Sequence, residues 1–445
     1  MKQFKIVLLA YIVIYLLVYS LIYFVGFDSE IELVAFNFFY GIFYFIIIRL
    51  LYIISERKIN NPYSILYITA FFSIISVLAY KFLSIELRNN LFVFSDADAS
   101  SYNLYGLKYA NNLYAITEWR YDDWGVLFVL GLLYKLTPSP LILSVFYIIL
   151  GIFTVYYLYK LCRFFIKSNY CFLICAVFYL SSYLQWYNSS LLKESIMVFL
   201  TIYLFYHLYK FIIAGSKYSL TAMAFGLILM LFFRPAVSFI FLFSAFLFYV
   251  SNVKSFSLKI LFLVISLPIG YYFLSTSVLE ESQRYLPYES VNDFFAAKEN
   301  QNTLRGSVAF TYVTHTISGL LGPIPQFYPK EIVYNNFFAS GLLIRLLLSV
   351  YALLAMYKII TQKIIILYPV VLFCLIELFS LVFMFEALEL RKAMPHIVFN
   401  YFLAFWYLFN VEETKLFSKP YWLFYKGYIM TAAITFLLVV FWNFR

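Results

Sequence analysis

The chain opens MKQFKIVLLAYIVIYLLVYSLIYF (1–24), two lysines followed by a long apolar run. The run exceeds the roughly 7 to 15 residues of a signal-peptide apolar region, and no small-x-small cleavage site follows it. It reads instead as a membrane-spanning helix, since about 20 apolar residues cross a hydrocarbon core of roughly 30 Å. That reading decides the fold class, because similar apolar windows recur along nearly the whole sequence.

Of 445 residues, 64% are hydrophobic and 12% charged, against roughly 45 to 50% and about 25% in soluble domains. The expectation is an all-α polytopic membrane protein forming a single transmembrane domain over residues 1–445, with about 13 spans. Predicted spans cover 4–26, 33–54, 62–84, 138–165, 170–187, 192–212, 219–233, 235–250, 258–276, 337–358, 363–385, 394–411 and 420–442. Two long segments interrupt them, 85–137 and 277–336, and loops of that length are usually functional.

The formal charge of +10 does not point to nucleic acid. Lys2, Lys5, Arg57, Lys58, Lys160, Arg163, Lys167, Lys210, Lys217, Lys254, Lys259, Lys358, Lys363, Lys415 and Lys419 fall on one side of the alternating topology, and that side is expected to be cytoplasmic. The N-terminus is then inside, the C-terminus outside, and both long loops are external. Cys162, Cys171, Cys175 and Cys374 sit in or at the ends of apolar helices, so they read as small core residues rather than a disulfide framework or zinc site.

The stretch FSDADASSYNLYGLKYA (94–110) places Asp96 and Asp98 at the external mouth. Asp98, Ser100 or Ser101 could cap a following helix. The pair could also be an Asp-x-Asp holding a metal and a nucleotide diphosphate, a reading weakened by its external side, or supply a general base. Helices are predicted at 99–115, with Tyr102, Tyr105 and Tyr109 at helical spacing, and at 124–136. The second is too short to span, and both are expected to lie in the interface, where Tyr and Trp favour the headgroup level.

Further polar residues fall on the same side. Glu194 lies in the first turn of a helix after NSSLLK, as either capping chemistry or a functional acid. Arg234 and Pro235 form a tight turn. Arg345 lies within a span, where a charge is costly unless it pairs or lines a cavity; it is expected either to pair with Glu377 or to contact phosphate in a cavity open to the outside. Arg391 and Lys392 are candidate anion contacts, with His396 nearby reading as a surface or core residue.

From about residue 62 onward this order resembles the GT-C superfamily of polyprenyl-phosphate-sugar-dependent glycosyltransferases, which includes the protein O-mannosyltransferases and the aminoarabinose transferase of lipid A. DASSYNLYGLKYA is similar to the family's Asp-x-x-x-Tyr loop, at Asp98 and Tyr102. DDWGVLFVLGLLYKLTPSP looks like the next amphipathic helix. SSLLKESIMVFLTIYLFY is similar to the helix start bearing an acid, at Glu194, AFGLILMLFFRP to the Gly-then-Arg-Pro segment, and LRKAMPHIVFNYFLAFW to the late Arg-Tyr-x-x-Pro run. Two helices within residues 1–60 precede the one that normally comes first, and Lys392 replaces the usual Tyr.

The resemblance implies an inverting transfer at the outer face of a bacterial inner membrane, in cell-surface polysaccharide or glycolipid synthesis. The donor would be a polyprenyl-phosphate-linked sugar and the acceptor a lipid-linked or surface glycan, among membrane lipids and with no nucleic acid partner. Asp98 would be the base, and Asp96 would orient it or help hold a divalent metal, as some relatives require. Arg234, Arg345 and Arg391 would meet the leaving phosphate, while Arg305, Arg284 and His315 belong to a second loop covering the site. Two other readings stand beside it: an O-antigen or capsule-type polysaccharide polymerase, with Arg284 and Arg305 central, and a lipid-linked glycan flippase or transporter, against which the absence of internal repeats counts.

Overall fold

A computed structural model of the chain describes residues 2–25, 31–56, 62–89, 91, 97–118, 123–252, 316, 319–321, 324–327, 334–384, 390–411 and 421–444. The predicted span 258–276, together with Asp96, Arg284, Arg305 and His315, lies outside them. The described residues are almost wholly helical, with no strand among them. In chain order the helices are α1 Lys2–Val25, α2 Ile31–Glu56, α3 Pro62–Arg88, α4 Ala97–Tyr109, a 3₁₀ turn Leu113–Glu118, α5 Trp124–Leu136, α6 Pro140–Cys162, α7 Ser168–Tyr179 and α8 Ser182–Ser190. There follow α9 Lys193–Ala214, α10 Lys217–Leu231, α11 Pro235–Asn252, α12 Tyr334–Thr361, a 3₁₀ turn Ile365–Leu367, α13 Tyr368–Met384, α14 Leu390–Trp406 with a π-helical end Tyr407–Val411, and α15 Tyr421–Phe444.

Among the described residues, six stretches are long and apolar enough to cross a membrane: Ala35–Ser55, Tyr63–Leu87, Pro140–Cys162, Lys193–Ala214, Phe337–Thr361 and Ile365–Val382. The expectation of about 13 spans is thus met at six by length and composition. Other apolar helices, such as Lys217–Leu231 and Pro235–Val250, are shorter. The predicted span 170–187 is two helices, broken at Leu180 and Ser181. Ser181 takes an extended conformation, φ −60° and ψ 143°, as serines before a helix commonly do. The helix predicted at 99–115 ends at Tyr109, ahead of Asn111 and Asn112.

Local chemistry sets the helix ends. Pro140 opens α6 from the extended Ser139, a position where the missing N–H costs nothing. Gly215, at φ +63°, closes α9 and its N–H bonds the Phe211 carbonyl, as a left-handed C-cap does. Helix α14 begins at Leu390 and runs through Pro395, four residues earlier than predicted.

The most buried layer is α7, α8, α12 and α14. Every residue of α8, SYLQWYNSS, is buried although the sequence is polar. Tyrosines tie this layer together: Tyr11 donates to the Ser340 carbonyl at 2.6 Å, Tyr40 to Leu180 at 3.0 Å, Tyr44 to Val177 at 2.5 Å and Tyr147 to Leu191 at 3.0 Å. Between helices in lipid there is no hydrophobic driving force, and interhelical hydrogen bonds, about 0.6 kcal/mol each, help set packing.

The contacts also fix directions. Helix α12 runs parallel to α14, with Tyr401 donating to Gly341 at 3.3 Å and the Tyr351 and Tyr407 rings 6.4 Å apart. Asn410, beyond α14, bonds the Phe165 carbonyl beyond α6. One end of the molecule therefore gathers the starts of α6, α9, α12 and α14. The opposite end gathers the α6–α7, α9–α10 and α12–α13 turns.

Candidate functional site

At the first of these ends, three charged residues far apart in sequence meet. Arg391, in the first turn of α14, pairs with Asp98 in the first turn of α4, and its Nε lies 2.8 Å from Glu194 Oε1 in the first turn of α9. One guanidinium thus faces two carboxylates. The Asp98 side chain is 43% exposed, Arg391 22%, and Glu194 fully buried. The Arg391 to Glu194 contact is charge against charge rather than a well-aligned hydrogen bond, and among the described residues neither Glu194 oxygen receives a hydrogen bond.

Neither acid stands at the N-cap position of its helix. Asp98 lies inside the first turn of α4, after Ala97. The N-cap of α9 is Leu192, which offers no side-chain acceptor. The chain reaches Glu194 through Leu191, held at φ +59° with a fully buried side chain. A left-handed non-glycine residue costs roughly 1 to 2 kcal/mol, and such strain clusters where backbone position matters.

A second cluster adjoins the first. Asp123 Oδ1 accepts a hydrogen bond from Tyr102 Oη at 2.6 Å and pairs with Lys193 Nζ at 2.6 Å. Burial, and then the Asp123, Glu194 and Asp98 charges, hold the Tyr102 phenol well above its ordinary pKa. It remains protonated and serves as a donor. Tyr134 of α5 donates to Asn103 Oδ1 at 2.6 Å, and Gly125 N–H bonds the Phe232 carbonyl at 2.9 Å. The latter contact brings the α10–α11 turn, and Arg234 with it, to the same end.

The sequence-derived candidates therefore separate. Asp98, Glu194, Arg391 and Tyr102 come together, and half-buried Lys392 follows Arg391 in α14. Arg234 is close enough for its charge to act on Glu377. Arg345 stands apart: it is 1% exposed rather than facing an open cavity, and its Nη2 donates to the Gly319 carbonyl at 3.3 Å. The expected Arg345 to Glu377 pair is not formed. Glu377 Oε2 instead faces His396 Nδ1 at 3.4 Å, both buried, and α12 packs mainly on α14 rather than on α13. His396 is thus a core residue. Asp123 was not legible: nothing in the sequence names its partners 21 and 70 residues away.

Among the described residues no three His, Cys, Asp or Glu side chains converge to hold a metal ion, and the four cysteines are buried and free. Compared with known proteins, the chain matches no family model, no curated protein and no solved structure.

Proposed function

We propose that the protein is a membrane glycosyltransferase that moves a sugar from a polyprenyl-phosphate donor to a hydroxyl on a lipid-linked or surface glycan at the outer membrane face. The observation that carries this reading is the Asp98, Arg391 and Glu194 cluster: residues picked out by motif order meet at one end of an apolar helical bundle. An acid reachable from solvent, a cation and a buried acid are the parts such a transfer needs.

The acceptor oxygen attacks the anomeric carbon and its proton passes to Asp98. The bond from that carbon to the phosphate oxygen breaks with inversion, and the lipid phosphate leaves as an anion. A prepositioned cation in a poorly solvated site stabilises the developing charge, and Arg391 is the cation in place. An arriving phosphate competes for Arg391 with Asp98, the more exposed of its two acids, and frees that carboxylate to act as base. Glu194, buried, stays behind to orient the guanidinium. Were a divalent metal bound, Asp98 and Asp96 would be its nearest carboxylates in sequence, and it would supply further positive charge.

The test is a mass-spectrometric comparison of surface glycans and polyprenyl-linked intermediates in cells with and without the protein. Loss of a single sugar, with its lipid-phosphate donor accumulating, is expected. Accumulation of unpolymerised repeat units instead would replace the transferase by a polymerase.

A further inference from the structure

We infer that Asp123 is a positioning residue whose Oδ1 ties α4 to α9 and so sets Asp98 and Glu194 against Arg391. The tie is read from geometry alone, and its effect on rate rests on the transferase reading.

One oxygen atom takes both contacts, from Tyr102 Oη and Lys193 Nζ, each at 2.6 Å. Tyr102 lies four residues after Asp98 on α4, which in a helix is the same face one turn on. Lys193 is the residue before Glu194. Asp123 therefore links the two elements that carry the acids, through the neighbour of each. It opens α5 yet does not cap it: its φ and ψ are −108° and −7°, and its side chain makes no capping bond. An acid at this position ordinarily turns to its own helix, whereas this one turns to two others.

The platform under Asp123 is itself fixed. Gly125 bonds Phe232 of the α10–α11 turn, and Tyr134 holds Asn103, whose Nδ2 in turn bonds the Ala99 carbonyl next to Asp98. Lys193 and Asp123 have side chains only 3% and 7% exposed, so water does not compete for the contact. A buried ion pair is weak evidence for stability, and fixing register is its best-attested use. Here the register is that of α4 on α9.

The experiment uses the full chain in lipid nanodiscs, with the polyprenyl-lipid extract of cells lacking the protein as donor. Amide hydrogen exchange over 97–109 and initial transfer rates against donor amount are read for wild type, Asp123→Ala, Asp123→Glu and Tyr102→Phe. In Asp123→Ala, exchange in α4 should rise by roughly tenfold or more while the interiors of α12 and α14 keep their protection. The kcat should fall by about 10²-fold, the cost of roughly 1 Å of misplacement, at unchanged donor KM. Asp123→Glu should restore part of both, and Tyr102→Phe should move both the same way by less. Unchanged α4 exchange in Asp123→Ala overturns the tie, and loosened α4 with full kcat overturns the positioning role. If Asp123→Ala does not fold, Tyr102→Phe, which removes one hydroxyl, decides the exchange arm alone. A wild type that transfers nothing overturns the transferase reading while the exchange arm still decides the tie.

Discussion

Asp98 and Glu194 share one arginine and differ in who else can reach them. At 43% exposure against none, Asp98 is the acid an incoming hydroxyl can meet. Asp98→Asn keeps the shape and removes the proton acceptor, so turnover should fall by the roughly 10² to 10⁴ that general-base catalysis contributes. Folded yield should hold, because Asn serves as well as Asp near a helix start; transfer rate and thermal unfolding of the purified variant check the two halves. Arg391→Met removes the counter-charge of buried Glu194, and breaking such a pair costs about 3 to 5 kcal/mol. Arg391→Met with Glu194→Gln should therefore recover folded yield but not activity. Recovery of both would take Arg391 out of the site. At this scale the sequence was legible where residue type and order carried the signal, at Asp98, Glu194 and Arg391. It was not legible where a tertiary partner decides, as at Asp123, or at Glu377, whose partner proved to be His396 and not Arg345.

The element that follows Asp123 and braces α4 is α5, thirteen residues long and tied at both ends. Its start approaches α10 so closely that a Cβ on Gly125 would meet the Phe232 carbonyl and the Phe233 ring, each at 2.8 Å. The carbonyl accepts the Gly125 N–H and cannot withdraw without losing that bond. Gly125→Ala should cost about 1 to 3 kcal/mol, as overpacking does, and lower transfer by displacing Asp123. Gly226→Ala in α10 meets the flexible Leu204 methyl at 3.0 Å and should be much milder; thermal unfolding of the pair checks the contrast. Apolar length and the Pro and Gly punctuation revealed most helices to within a few residues. They could not reveal the break at Ser181, because α8 is polar by composition and buried by its neighbours, a property of packing rather than of the segment.

At the scale of the whole molecule, three of the described turns are purely basic. The end opposite the Arg391 cluster carries Lys160, Arg163, Lys167, Lys210, Lys217, Lys358 and Lys363, and no acidic residue lies in those three turns. The sequence already placed these residues on one side by alternation, and the contacts between Asn410 and Phe165 and between Tyr401 and Gly341 bring them to one end by an independent route. Basic residues near span ends are retained in the cytoplasm, so the acidic cluster should face outward, the side on which a lipid-phosphate donor presents its sugar. Two engineered cysteines test this. Pro138→Cys lies exposed just before α6 on the cluster's end, and Gln362→Cys lies exposed in the α12–α13 turn on the basic end. The four native cysteines are all buried and should contribute little background. A membrane-impermeant maleimide should label Pro138→Cys in intact cells and Gln362→Cys only after permeabilisation. The reverse pattern would place Asp98 and Arg391 in the cytoplasm, where sugar donors are nucleotide-linked, and the lipid-phosphate transferase would have to be abandoned.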